Sequence, residues 1–347
     1  MRASSASDKI PYLTFAQVVA AVSVVFLHTN GCFWSFSAER WWVTANIIES
    51  VFNFAVPLFF MITGVTLINY PERYDLSAYF KKRLKKTVLP FLVWSLIGLA
   101  YQWYRGVIAA DQITLPFVVR GILHSEIITI YWFFPVLFSV YLSMPLFAAV
   151  PKEKRRSIFG FLLAAALVCN ALLPLLIQVF HLDLSWPVTV GAASGYLMYV
   201  LAGVLLHENP PGAKARAVIY LLGLTGLAAQ IIGTHRLSMA AGEIVRTYKG
   251  YVNLPVLLYS FAVFVLFSRI GPCVMASPVG GLVRLVGKYT FPIYLIHWYV
   301  MDTIVRTFHV PTTSIWYRLG APFVIVPVVM LITWLLRKLP GVRAIVP

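Results

Sequence analysis

Charge is scarce in this sequence, and acid scarcer still: 12 Asp and Glu stand against 28 Lys and Arg in 347 residues, and charged side chains make up only 12% of the chain. Soluble domains carry about twice that share, so an ordinary water-soluble fold is excluded. The net charge of +16 is not spread as a basic stripe over a polar domain but sits in loops, which excludes a soluble nucleic-acid binder. Cysteine occurs only at Cys32, Cys169 and Cys273, expected outside, within and inside the membrane respectively, so no disulfide framework is built. Also missing are an internal repeat of convincing period, a Gly/Ser linker, and a loop longer than about 25 residues, so the chain reads as one domain over 1–347. The seven histidines are dispersed, and no phosphate-cradling glycine loop or cofactor lysine is present. Neither a metal nor a bound prosthetic group is expected.

What the chain has is apolar length. Hydrophobic residues are 60% of the total and mean hydropathy is +0.82, the signature of an all-α polytopic membrane protein. A spanning helix needs about 20 apolar residues. Runs bounded by charges and Pro/Gly clusters predict about ten transmembrane helices, near 11–31, 45–69, 87–104, 129–149, 157–179, 187–206, 217–233, 251–268, 290–308 and 317–336. With N- and C-termini cytoplasmic, 20 of the 28 basic residues fall on the inner side, from Arg2 and Lys9 through the 73–86 and 152–156 clusters to Arg337, Lys338 and Arg343. The other eight lie outside, as the positive-inside rule requires. The start "MRASSASDKIPY" could open a signal peptide, but the apolar run after it is long, ends in His28 and lacks a small-x-small cleavage site, so it is expected as a retained helix.

Polar groups inside these runs are the natural candidates for chemistry, because ionisable residues at membrane depth face a cavity or each other. The stretch "FAQVVAAVSVVFLH" holds Gln17 and His28 eleven positions apart. That spacing is about three helical turns and roughly 16 Å, which puts both on one face at different depths. His28, Glu49, Glu126 and Asp302 are all expected toward the outer leaflet, around a polar chamber, with His124 and His297 nearby. An imidazole there can take a proton from an attacking hydroxyl, and a carboxylate such as Glu49 could orient it. The plainer alternatives are a helix-end histidine solvated at the headgroups and carboxylates held in structural pairs.

The loop "YFKKRLKKTVLP", 79–90, gathers Lys81, Lys82, Arg83, Lys85 and Lys86. Arg83 and Lys86 share a helical face at i, i+3 and could clamp phosphate oxygens, although such clusters also serve as topology signals. Pro57 and Pro135 fall inside predicted spans, where they would kink a helix or free carbonyls toward a wet cavity.

Taken in order, "VPLFFMITG" at 56–64, "KKRLKKTVLP" at 81–90, "IYWFFPVLFSVYLSMP" at 130–145 and "PIYLIH" at 292–297, together with the Gln17–His28 spacing, resemble the membrane-bound acyltransferase 3 family, in particular the bacterial members that O-acetylate surface polysaccharides and lipid-linked glycans. The resemblance implies a multi-pass protein of the bacterial cytoplasmic membrane that transfers an acyl group from acetyl-CoA or another acyl-CoA to a glycan hydroxyl. It implies His28 as the base, Arg83 and Lys86 as donor-side cations, and Tyr131, Trp132 and His297 as lining of the substrate path. The reading of the residues themselves adds Glu49 beside the base, Lys82 on the donor side, and Gln17 and Asp302 along the path. Membrane lipid and polysaccharide-assembly proteins are the further partners the resemblance suggests. Gln17 stands where the family has a cation, Ile130 where it has a histidine, and Thr63 where it has a serine. A transporter or flippase using the intramembrane His and carboxylates is the rival reading, and a role in assembling an export complex is a third.

Overall fold

A computed structural model describes residues 10–347; Arg2 and Lys9, counted above among the inner charges, lie outside the described residues. In chain order the helices are α1 (Pro11–Thr29), α2 (Arg40–Phe52), α3 (Ala55–Leu67), α4 (Leu76–Arg83), α5 (Leu89–Tyr104), α6 (Leu115–Leu123), α7 (Phe133–Ala148), α8 (Lys152–Ala166) and α9 (Leu173–Val179). They continue with α10 (Leu197–Glu208), α11 (Ala213–Ala228), α12 (Thr234–Ala241), α13 (Leu254–Ala276), α14 (Val279–Gly287), α15 (Thr290–Phe308), α16 (Ile315–Gly320) and α17 (Pro322–Leu336). There is no strand among the described residues.

Several helices join end to end through tighter or wider turns, so that seven continuous segments are long and apolar enough to cross a membrane: Pro11–Thr29, Arg40–Glu72, Leu76–Tyr104, Thr129–Ala148, Lys152–Val179, Ala213–Ala241 and Leu254–Ala276. α10 and α17 are apolar but shorter, and α15, as long as α1, carries Asp302 and Arg306. Three of the joins are π turns, at Leu84–Val88, Leu167–Leu172 and Ala229–Gly233, and the first two come just before a proline, Pro90 and Pro174. A proline removes one helical N–H and clashes with the carbonyl four residues back, and a wider turn relieves both. The basic run at 79–90, expected as a loop, is therefore helical and continuous with α5.

Burial separates inner from outer helices. The protein itself covers 67% of the α1 segment but only 11% of Lys152–Val179, so α1 is central and α8–α9 peripheral. Apolar apart from a few side chains such as Gln17 and His28, α1 is the kind of helix that must be enclosed, and it packs on α3, α13, α14, α15 and α17. Beside it, α3 and α10 meet backbone to backbone. A Cβ on Gly203 would lie 2.4 Å from the Met61 carbonyl oxygen, and one on Gly64 would lie 2.5 Å from that of Val200. Small residues allow such close approach where water supplies no driving force between helices. Pro57 and Pro135 occupy the third positions of α3 and α7, where an absent N–H costs little. They start helices rather than kink them.

Candidate functional site

The C-terminal end of α1 is fastened on both sides of the chain that follows His28. Thr29 Oγ1 donates to the Arg318 carbonyl at 3.0 Å, and Asn30 Nδ2 donates to the Ala45 carbonyl at 2.9 Å and to Glu49 Oε2 at 3.3 Å. The guanidinium of Arg318 in turn holds Asn30 Oδ1, the Trp41 carbonyl and Thr44 Oγ1. His28 is thus carried on a fixed helix end, the support that a reacting group needs.

Its ring meets His297. The two lie within 6° of parallel with centroids 4.8 Å apart, and His28 Nδ1 is 2.6 Å from His297 Nε2, an edge-to-edge pair. His297 Nδ1 stands 2.8 Å from the Ile293 carbonyl oxygen. A carbonyl only accepts, so Nδ1 of His297 carries the proton. In the neutral ring Nε2 is then the acceptor, His28 Nδ1 donates to it, and His28 Nε2 keeps its lone pair. This tautomer assignment follows from the partners, and it makes Nε2 of His28 a base.

A cavity of about 510 Å³ opens beside His28, lined also by Glu49, Trp132, Arg246, Tyr251 and Tyr294. Glu49 is 4% exposed, and its bonded partner is Asn30, so the orienting group expected to be a carboxylate is a second imidazole instead. Outside the spanning helices, burial pulls the Lys249 ammonium below the ordinary lysine range, and the Glu49 carboxylate opposes that.

Two further cavities continue along the bundle. One, of about 140 Å³, is lined by Gln17, Thr63, Thr87, Thr290, Tyr141 and Tyr294 among others, and Gln17 Nε2 donates to Thr290 Oγ1 at 3.0 Å. The next, of about 610 Å³, is lined by Lys81, Arg83, Phe80, Phe138 and Tyr141 among others. Tyr294 borders the first two cavities, and Tyr141 borders the second and third. Two tyrosine side chains therefore separate three spaces in series, from Arg83 past Gln17 to His28. The hydroxyl of Tyr294 is tied to the Ile130 carbonyl. The Arg83 guanidinium lies over the rings of Tyr79 and Tyr141, and its Nε is buried with no partner among the described residues.

Other expected residues lie elsewhere. Tyr131 is 1% exposed and donates to the Leu295 carbonyl at 2.8 Å. It lines none of the three cavities, so its place on the substrate path is corrected to a packing role. Asp302 accepts from Tyr101, Arg105 and Arg306, which ties α5 to α15, and the expectation that it faces the path is corrected likewise. Glu126 pairs with Arg120 at 3.1 Å in an exposed position, and His124 is an exposed residue at the end of α6. Neither joins the chamber expected for them. Lys82 Nζ sits 3.5 Å from the Tyr74 ring centroid, and Lys86 is exposed in the π turn. Of the expected clamp only Arg83 borders a cavity. Trp132 lines the His28 cavity.

Sequence reasoning passed over Tyr294, Tyr141, Thr290 and Arg246. Tyr294 was within reach, three residues before His297 in "PIYLIH". The contacts of Gln17 with Thr290 and of His28 with His297 span 273 and 269 positions, and no local spacing announces them. Among the described residues no group of three or more His, Cys, Asp or Glu could hold a metal ion.

A family model described as an acyltransferase domain matches residues 10–337, nearly the whole chain. Among curated proteins the chain is similar to a serine/alanine racemase of Enterococcus gallinarum, 24% identical over 271 residues, 70% of this chain and 35% of the racemase. The match thus spans about a third of that relative. No solved structure matches.

Proposed function

Since the chain belongs to the acyltransferase family whose model covers residues 10–337, we propose that it moves an acyl group, acetyl first among the candidates, from a cytoplasmic acyl-CoA to a hydroxyl of a surface polysaccharide or lipid-linked glycan. In this reading the chain is one unit crossing a bacterial cytoplasmic membrane ten times. The seven long segments, α10, α15 and α17 are the passes, and both ends are cytoplasmic. The crowding of Lys and Arg in every second connection supports that orientation.

The observation that carries the proposal is the series of cavities from Arg83 to His28. Arg83, with an unspent Nε, receives a phosphate of the donor at the cytoplasmic end. The flexible thioester arm follows the hydroxyl-lined space beside Gln17, and the acceptor enters the His28 cavity from the other side. His28 Nε2 takes the proton of the acceptor hydroxyl as its oxygen attacks the thioester carbonyl. The carbon–sulfur bond breaks, and the leaving thiolate takes that proton from His28. His297 holds the tautomer and stabilises the imidazolium through Nε2. The only side chain bonded to the His28 ring among the described residues is His297, which favours direct transfer over a covalent acyl-enzyme. Holding two reactants in a closed bundle supplies much of the rate gain in such reactions.

The test supplies purified protein with labelled acetyl-CoA and candidate glycans. Transfer by the wild type that is abolished in His28→Ala supports the reading. Unchanged transfer in His28→Ala overturns the assignment of the base, and absence of wild-type transfer from any acyl-CoA favours a transporter.

A further inference from the structure

The roof of the His28 cavity is the connection between α12 and α13, residues 242–253, and its construction bears on the acceptor. Lys249 fastens it: Nζ donates to the Asn46 carbonyl at 3.0 Å, to Asn46 Oδ1 at 2.5 Å and to Ser50 Oγ at 2.8 Å. Three acceptors match the three N–H bonds of an ammonium, so this cation has nothing left to offer a ligand. Asn53 holds the same strip from below, donating to the Lys249 carbonyl at 3.3 Å, and Tyr199 donates its hydroxyl to the Tyr251 carbonyl.

The fastened strip places two side chains over the cavity. Tyr251 stacks on Trp132, with centroids 5.5 Å apart and planes at 26°, and Tyr196 closes the group at 6.2 Å from Tyr251. The other is Arg246. Its guanidinium carbon lies 5.1 Å from the Trp34 ring centroid, the residue borders the cavity and is exposed, and among the described residues its side chain donates to no oxygen. Of the other cations expected on the same side, Arg105 and Arg306 are spent on Asp302, Arg120 on Glu126, and Arg318 on Asn30 and Thr44, and Arg40 and Arg236 do not line the cavity. A planar guanidinium backed by an aromatic ring, with its donors free at the mouth of a cavity, is the arrangement that grips a carboxylate or phosphate in two parallel hydrogen bonds.

We propose that Arg246 selects an acidic acceptor: it binds an oxyanion of the glycan while a sugar ring lies against the Trp132–Tyr251 pair, which turns a hydroxyl toward His28. The chemistry rests on the acyl-transfer reading; the binding does not. The oxyanion is either the carboxylate of an acidic sugar or the phosphate of a lipid carrier, and separate probes tell them apart.

Full-length protein in detergent micelles is titrated without any acyl-CoA against trigalacturonate, against its neutral galactose counterpart, and against a farnesyl diphosphate-linked galactose. Wild type is expected to bind at least one anionic probe about tenfold or more tightly than the neutral one, the scale of a charge-assisted hydrogen bond. Preference for trigalacturonate identifies an acidic sugar, and preference for the diphosphate identifies the carrier. Arg246→Gln is expected to bring the anionic probe to the neutral level and leave the neutral affinity unchanged, with Arg246→Lys recovering part of the difference. Equal binding of all three probes by the wild type, no binding of either anionic probe, or an equal loss for every probe in Arg246→Gln would overturn the proposal. Because no donor is present, failure of acyl transfer leaves this result standing, and transfer to neutral glycans as fast as to acidic ones defeats the selection alone.

Discussion

His297 bridges its own helix and the ring of His28, with Nδ1 2.8 Å from the Ile293 carbonyl and Nε2 2.6 Å from His28 Nδ1. That relationship makes His297 a positioning residue. His297→Ala is expected to lower kcat about a hundredfold or more, within the range of acid–base contributions, with little change in KM for either substrate. His297→Gln, whose amide oxygen can accept from His28 Nδ1, should restore part of the rate. A general loss of fold would instead lower the thermal midpoint of both variants alike.

Tyr294 separates the His28 cavity from the space beside Gln17. Removing the ring in Tyr294→Ala should join the two spaces and let water reach the thioester, so that acyl-CoA hydrolysis measured without acceptor rises several-fold. Tyr294→Phe keeps the ring and loses only its tie to the Ile130 carbonyl; its hydrolysis should stay near the wild-type rate. Equal hydrolysis in all three proteins would show that the tyrosine is no barrier.

Arg83 borders the cavity of about 610 Å³ and Lys86 does not. Arg83→Ala should raise KM for acyl-CoA by roughly tenfold, the loss of one charge-assisted contact, and Lys86→Ala should change it less than about twofold. Michaelis constants at two salt concentrations check this, since a phosphate contact near the surface weakens as salt rises.

Much of this fold is legible in the sequence, because hydrophobic length is a local property. The helix at Thr290–Phe308 falls where the apolar run 290–308 predicts it. The span expected at 45–69 begins earlier, at Arg40, and breaks at Asn53 and Phe54, since polar residues at 46, 49, 50 and 53 face other protein groups rather than lipid. The same property explains the misplaced candidates. A carboxylate in an apolar run signals that something pairs with it but not what: Asp302 finds two arginines, and Glu49 finds an asparagine and a cavity. His28 was marked by its place in α1, whereas its partner is set by the packing of α1 against α15, which only the assembled bundle contains.

The contact of α3 with α10 has no slack. Gly203→Ala would drive a methyl against the Met61 backbone, where a moving side chain cannot relieve it, and should destabilise the protein by about 1–3 kcal/mol. A lowered thermal midpoint in detergent, read by loss of helical circular dichroism, checks the prediction. Gly281→Ala, at a site with open space around it, serves as the control.

The central claim is that donor and acceptor reach one imidazole from opposite ends of the bundle. The most direct measurement is label transfer in oriented proteoliposomes, with labelled acetyl-CoA confined to the Arg83 side and an acidic glycan confined to the other. Label on the glycan with wild-type protein, and none with His28→Ala, is the predicted result. Transfer only when both substrates share one compartment, or transfer that survives His28→Ala, would contradict the account.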